Sequence, residues 1–261
     1  MAIEYVDSTQ LDSDLTSVAD AIRAKSGGSS QLAFPAGFVS EIQSIPSGGG
    51  NVVTKMIDGT LTSLADNGAV TVRVKAFEQF RALTSVSLPN VVSVNTNSFY
   101  QASGLVNVDM KKLKTINGSF AFSECTSLTV IALPALTSIT GAYTFRSDSK
   151  LEAVDLGAPY NLQQQTFASC TKLKKIILRR ENGICALGGT NSFTSTPFAS
   201  GGSGGTIYIP KALYDHLGDG SALDYKAATN WSTIDGYGTI TWAQIEGSIY
   251  ETQYADGTPI T

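Results

Sequence analysis

The chain has 261 residues, 42% of them hydrophobic and 15% charged, which is enough apolar material for a sizeable core and too much for a disordered protein. Its net charge of -4 and pI near 5.0 supply no general attraction to the phosphates of nucleic acid or of an anionic membrane, so no nucleic-acid partner is expected. The longest apolar runs, such as Ile176-Ile177-Leu178, fall far short of the roughly 20 residues a membrane-spanning helix needs.

The amino-terminal string from Met1 to Asp7 has neither the basic start nor the apolar core of a secretory signal, which implies either a trimmed chain or exit from the cell by another route. From residue 8 to 46 the pattern is helical. Leu11, Leu15, Val18 and Ile22 lie along one face, Asp12 or Ser13 caps the start, and Gly27-Gly28 stops it. A second short helix starts at Pro35, carries Phe38, Ile42 and Ile45, and ends at Pro46. So few residues rarely fold alone, so residues 1-47 are expected to form a helical hairpin that attaches the chain to something else. The seven apolar residues just named are then the candidate assembly contacts, made with another copy in a homo-oligomer or with another protein. Packing back over the first coil of the body is the competing reading. A glycine-rich linker at 48-53 favours attachment, because such hinges separate bodies that move independently.

Between Met56 and Ala76, Leu61, Leu64, Val70, Val72 and Val74 alternate as half-buried strands that would cap the amino-terminal end of the body. The body itself is a repeat. Phe77, Phe99, Phe122, Phe145 and Phe167 each open a unit of 22 or 23 residues. Six residues on stand Leu83, Leu105, Leu128, Leu151 and Leu173; nine on, Val86, Val108, Ile131, Val154 and Ile176; eleven on, Leu88, Met110, Leu133, Leu156 and Leu178. A unit this short cannot bury its own apolar face and must stack on a neighbour, which predicts a mainly β solenoid over 54-210. After Gly201-Gly202-Ser203-Gly204-Gly205, one more strand is expected at Thr206 to Pro210. Residues 211-261 read as an irregular α/β cap and tail, with helices near 211-217 and 225-231 and strands near 238-242 and 249-254.

If the leucine-type positions face inward, positions plus seven, plus eight and plus ten face outward. Three ladders result: Thr84, Val106, Thr129, Glu152, Lys174; Ser85, Asn107, Val130, Ala153, Lys175; and Ser87, Asp109, Ala132, Asp155, Ile177. Rungs stand about 4.8 Å apart, which brings Glu152 against Lys174. Asp109, Glu152, Asp155, Lys174 and Lys175 are the candidate ligand-facing residues, suited to the hydroxyls of a host-surface glycan or the polar groups of a protein. An ordinary solvated repeat surface is the plainer reading of the same ladders. Two basic clusters, Lys111, Lys112, Lys114 and Lys172, Lys174, Lys175, Arg179, Arg180, would attract an anionic cell-wall polymer if they shared a face.

Cys125 and Cys170 occupy equivalent positions two units apart, about 10 Å, beyond the roughly 7 Å reach of a disulfide, and read as buried spacers; Cys185 reads likewise. No enzyme, metal or cofactor is expected. His216 has no ligand or triad partner at useful spacing, and Gly201 to Gly205 lacks the lysine and hydroxyl of a phosphate loop. Glycoside hydrolysis would need two facing carboxylates from Asp109, Glu152 and Asp155, together with a cleft that a regular strand face does not provide.

The string from Phe122 to Pro134, FSECTSLTVIALP, resembles the BspA-like leucine-rich repeat, with Ser85 to Pro89 and Phe167 to Leu178 as further matches. Thr206 to Trp231 resembles the closing segment of such arrays in gut bacteria and their phages, with an insertion around 218-222. Gly157-Ala158-Pro159 departs from the pattern in the fourth unit. Leu15 to Ile45 resembles segments of tail-associated structural proteins of phages that infect Gram-positive gut bacteria. Together the resemblances imply a non-enzymatic virion structural protein, held by its hairpin to other virion proteins and displaying a leucine-rich repeat for host contact. The alternative they leave open is a secreted or surface BspA-like bacterial adhesin. A glycan-degrading enzyme ranks last.

Overall fold

The computed structural model describes Lys55 and residues 59-245. The expected hairpin with Leu11, Leu15, Val18, Ile22, Phe38, Ile42 and Ile45, the linker at 48-53 and the strand at 249-254 lie outside these residues. The chain divides into two compact units, residues 1-61 and 62-261, and every repeat lies in the second.

Each coil contributes one short strand to each of two parallel faces. The first face comprises β1 (Ser63–Ala65), β3 (Ser85–Ser87) and β5 (Asn107–Asp109), then β7 (Val130–Ala132), β9 (Ala153–Asp155), β11 (Lys175–Ile177), β13 (Gly205–Ile209) and β14 (Ile240–Gln244). The second face comprises β2 (Thr71–Val72), β4 (Ser93–Asn95), β6 (Thr115–Asn117) and β8 (Ser138–Ile139), then β10 (Asn161–Leu162) and β12 (Ala186–Leu187). In-register parallel pairing sets Val86 beside Val108, Ile131 beside Val154 and Ile176 beside Ile207. A fixed spacing in sequence therefore becomes a column in space, and every leucine-type position at plus six, nine and eleven is buried.

The phenylalanines form the third side of the coil and stack in one column. Ring centroids lie 5.1, 5.1, 5.6 and 5.7 Å apart from Phe77 through Phe99, Phe122 and Phe145 to Phe167. The column continues to a sixth ring, Phe193, at 5.8 Å, although 26 residues separate it from Phe167 and the sequence rhythm is lost there. Trp231 then closes the end, 5.8 Å from Phe193, with Tyr225 packed edge-on against it. Both caps are tied to one residue: Trp231 Nε1 donates to the Cys185 carbonyl at 2.7 Å, and the Cys185 N–H donates to Tyr225 Oη at 2.8 Å.

Around each phenylalanine the backbone alternates hand. Residues two before and two after carry positive φ: Lys75 and Gln79, Asn97 and Gln101, Phe120 and Glu124, Tyr143 and Ser147, Gln165 and Ser169. None is glycine, so each turn accepts strain of about 1 to 3 kcal/mol per residue. The return is direct. Alternating hand points successive alternate N–H groups the same way, and Lys75, Phe77 and Gln79 donate to the carbonyls of Thr96, Ser98 and Tyr100 in the next coil at 3.1, 2.7 and 2.7 Å. Units of 23 residues take up their extra residue before this turn. Gly118 (φ +96) and Gly141 stack there so closely that a Cβ on Gly141 would fall 1.9 Å from the Gly118 carbonyl carbon.

Three elements differ from expectation. Val70 and Val74 are 60% and 57% exposed, because β2 is only two residues long and the chain enters the left-handed turn at Lys75. The helix expected near 211-217 is the shorter α1 (Lys211–Tyr214). The helix expected near 225-231 starts where it was to end, as α2 (Trp231–Asp235): Asn230 sits at φ +65, and Asp224 Oδ1 accepts the Lys226 N–H in the turns before it.

Candidate functional site

The first face presents its plus-seven ladder to solvent. Thr84, Glu152 and Lys174 are exposed, with Val106 and Thr129 half-buried between them. Alternation in so short a strand forces this, since Val86, Val108, Ile131, Val154 and Ile176 take the inner side. The plus-eight ladder, from Ser85 to Lys175, is half-buried throughout. Lys175 extends over the Tyr208 ring with its Nζ 5.4 Å from the centroid.

The plus-ten ladder requires a correction. Ser87 and Asp109 are half-buried, and Ser87 Oγ donates to Asp109 Oδ2 at 3.1 Å. Further along, Ala132, Asp155 and Ile177 are buried, so Asp155 does not face a ligand. The chain after β11 folds Arg179 back over the ladder, placing its Nε 3.0 Å from each Asp155 oxygen, while Asp155 Oδ1 also accepts the Gly157 N–H at 3.1 Å. The expected Glu152 and Lys174 pair does not form either. Lys174 N–H donates to the Glu152 carbonyl at 3.0 Å, yet the two side chains make no ion pair. Asp109, Glu152, Lys174 and Lys175 remain on the face, and Asp155 belongs to the core.

The basic clusters are also divided. Lys172, Lys174 and Lys175 line a shallow groove of about 580 Å3 with Glu152, Ala153 and Thr171. Arg179 is committed to Asp155, and Arg180 stacks on Tyr160, its Cζ 4.0 Å from the ring centroid. Lys112 donates to Asn90 Oδ1 at 2.8 Å, and Lys114 projects from the second face.

That second face carries a ladder not expected from the sequence. Val70, Val92, Lys114, Thr137 and Tyr160 succeed one another through backbone bonds of 2.9, 3.0, 2.9 and 3.3 Å, and all are exposed, Tyr160 at 62%. From Val92 to Tyr160 its signal is a constant offset of fifteen residues from Phe77, Phe99, Phe122 and Phe145.

The buried polar groups lie elsewhere. Three residues after each phenylalanine, Cys125, Asp148 and Cys170 form one internal column. Cys125 Sγ donates to the Phe99 carbonyl at 3.2 Å and Cys170 Sγ to the Phe145 carbonyl at 2.9 Å. Burial pushes both thiols well above their usual range and Cys185 up to about 12. Asp148 Oδ1 accepts the Cys125 N–H at 2.8 Å, while Oδ2 is buried without a partner, and burial raises this carboxyl well above the usual carboxylate range. His216 Nδ1 lies 2.6 Å from Asp219 Oδ2, and that contact holds the exposed Asp219 carboxyl down at about 2. Among the described residues no group of three or more His, Cys, Asp or Glu side chains is arranged to hold a metal, and no helix is long and apolar enough to cross a membrane.

Residues 70–196 match the BspA type leucine-rich repeat region in six copies. Among solved structures, the chain is similar to a leucine-rich repeat protein from Bacteroides ovatus at 21% identity and a TM-score of 0.42, over 58% of this chain and 44% of that one. It is also similar to a leucine-rich repeat protein from T. pallidum (20%, TM-score 0.35, 49% and 73% of the two chains) and to a leucine-rich cell surface protein from Faecalibacterium prausnitzii (16%, TM-score 0.35, 58% and 55%). The chain thus spans less than half the length of the Bacteroides ovatus protein. No curated protein sequence matches it. The family match lies outside residues 15–45, so the resemblance of that segment to phage tail-associated proteins gains no support from it. Six stacked phenylalanines and parallel coils agree with the six matched copies: residues 70–196 form a leucine-rich repeat array similar to the BspA type.

Proposed function

We propose that the protein is a non-enzymatic, surface-displayed or extracellular contact protein of adhesin type, whose first sheet face binds a protein or glycan of a neighbouring cell. The observation that carries this reading is the plus-seven ladder: Val106, Glu152 and Lys174 stand outward on a rigid parallel sheet, chemically varied and without side-chain partners among the described residues. A ladder used only for stability would pair its charges, and exposed pairs add under about 1 kcal/mol in any case. Asp155, one of the carboxylates that hydrolysis could have used, is spent on Arg179. Binding of the full chain to a glycan array and to immobilised extracellular-matrix proteins tests the reading. Glu152→Trp with Lys174→Trp, both at exposed positions of the ladder, should abolish the signal, and Thr137→Trp on the second face should not. Loss only with Thr137→Trp, or no binding to any surface, would defeat it.

The resemblance of residues 15–45 to phage tail proteins supports a second setting for the same face, display on a virion in which the hairpin docks to other virion proteins. Flanking tail or capsid genes, and failure of a chain lacking residues 1–47 to enter particles, would establish that setting; a signal sequence or wall anchor upstream in the reading frame would exclude it.

A further inference from the structure

On the first face, Lys172, Lys174 and Lys175 enclose the groove of about 580 Å3 around Glu152, Ala153 and Thr171. Lys150 is exposed at the position equivalent to Lys172 one coil earlier, where Thr171 Oγ1 donates to the Ser149 carbonyl at 3.3 Å and locks the two coils together. Among the described residues none of these four ammonium groups makes a hydrogen bond or ion pair, with Glu152 or with any other carboxylate. Elsewhere Lys75 pairs with Glu78, Lys112 with Asn90 and Lys211 with Asp215, while Lys111, Lys114 and Lys226 are not gathered around a groove. Four positive charges thus face one negative charge within two coils of a chain whose total is -4. Gathering like charges around one groove with no counter-charge but Glu152 is unfavourable, even with Lys175 resting over the Tyr208 ring, and an anionic ligand relieves it.

We infer that this groove binds an anionic polysaccharide, its carboxylate, sulfate or phosphate groups paired with Lys150, Lys172, Lys174 and Lys175. The inference rests on the reading of the first face as a contact surface and names what that surface takes. Polymer suits the site because Lys172, Lys174 and Lys175 run along one coil and Lys150 stands one coil, about 4.8 Å, before them, so the charges spread over more length than a single small anion spans. Sugar suits it because Glu152, in the middle, accepts hydrogen bonds from hydroxyls but repels a continuous run of phosphodiesters. Nucleic acid fits less well for a second reason: Tyr208, the aromatic ring beside the groove, has Lys175 over it, so no bare ring is offered for base stacking.

The test uses the full chain on sensors carrying heparin, polygalacturonate, neutral dextran or single-stranded DNA. Heparin, polygalacturonate or both should bind, dextran should not, and binding should fade from about 0.1 to about 1 M salt as the screening length falls from roughly 10 to roughly 3 Å. Lys172→Ala with Lys174→Ala, both at exposed positions, should weaken binding by about tenfold or more with an unchanged melting temperature. Lys111→Ala with Lys112→Ala, outside the groove, should leave it unaltered. Binding untouched by the groove substitutions, equal loss with the outside pair, or tighter binding to DNA would overturn the inference. Adhesion to matrix proteins or neutral glycans with no response to either anionic glycan would sink this inference alone and leave the contact reading standing; silence on every surface would sink both.

Discussion

Asp148 should make the fold less stable as pH rises, and replacing it with asparagine should remove that dependence. Its carboxyl is fully buried between Cys125 and Cys170, with one oxygen bonded to the Cys125 N–H and the other unpartnered. Burial raises the folded-state pKa well above the unfolded value, which is about 3.9. Below that unfolded value both states hold the proton and the residue contributes no pH dependence. Above it, the unfolded chain releases the proton first, and each further pH unit costs the folded state nearly tenfold in its equilibrium, a little over 1 kcal/mol, until the folded carboxyl itself ionises. Over a body of this size that is roughly 2 to 4 °C of melting temperature per unit. Asp148→Asn keeps an oxygen for the Cys125 N–H and carries no charge, so its curve should diverge upward from the wild type between about pH 4 and the folded-state pKa, then run parallel. Urea titrations of both proteins at intervals from acid to mildly alkaline pH measure the gap directly. A gap constant across that range would refute the buried, protonated assignment.

Phe145→Ala, which removes a ring stacked on both sides, should cost about 3 to 5 kcal/mol in chemical denaturation; a cost below about 1 would contradict a continuous column. Arg179→Ala should cost about 3 to 5 kcal/mol by stranding the buried Asp155 carboxylate, and adding Asp155→Ala should recover part of the loss, whereas simple additivity would argue against the pair. The three thiols should resist iodoacetamide in the native protein at about pH 8 and react in urea, which intact-mass measurement resolves; rapid native labelling would place at least one of them outside the core.

The leucine and phenylalanine columns are readable from sequence because parallel, in-register stacking converts a spacing into contact, so Leu83 to Leu173 and Phe77 to Phe167 need no further information. Phe193 hides behind a longer loop, yet packs as the sixth ring because Trp231 and Tyr225 return to close the stack from residues far along the chain. Asp148 was open to the same arithmetic as Cys125 and Cys170, three residues past a phenylalanine, but a carboxylate in that place looks like surface until its neighbours are counted. The burial of Asp155 was not legible at all. It depends on where the loop after β11 drops Arg179, a tertiary detail that no periodicity encodes. The second face was half legible: Val92, Lys114, Thr137 and Tyr160 keep a constant offset, and their unlike chemistry conceals it.

The phenylalanine turns give the array a head and a tail. Because alternate peptide groups there aim their hydrogens toward the carboxy-terminal neighbour and their oxygens back toward the amino-terminal one, their small dipoles add along the stack instead of cancelling as they do between ordinary strands. Inserting a single residue inside the turn would reverse that aim from there on, whereas a whole extra coil would slot in unnoticed. Evolution, or a protein engineer, can therefore lengthen this body by complete turns far more readily than it can edit one of them.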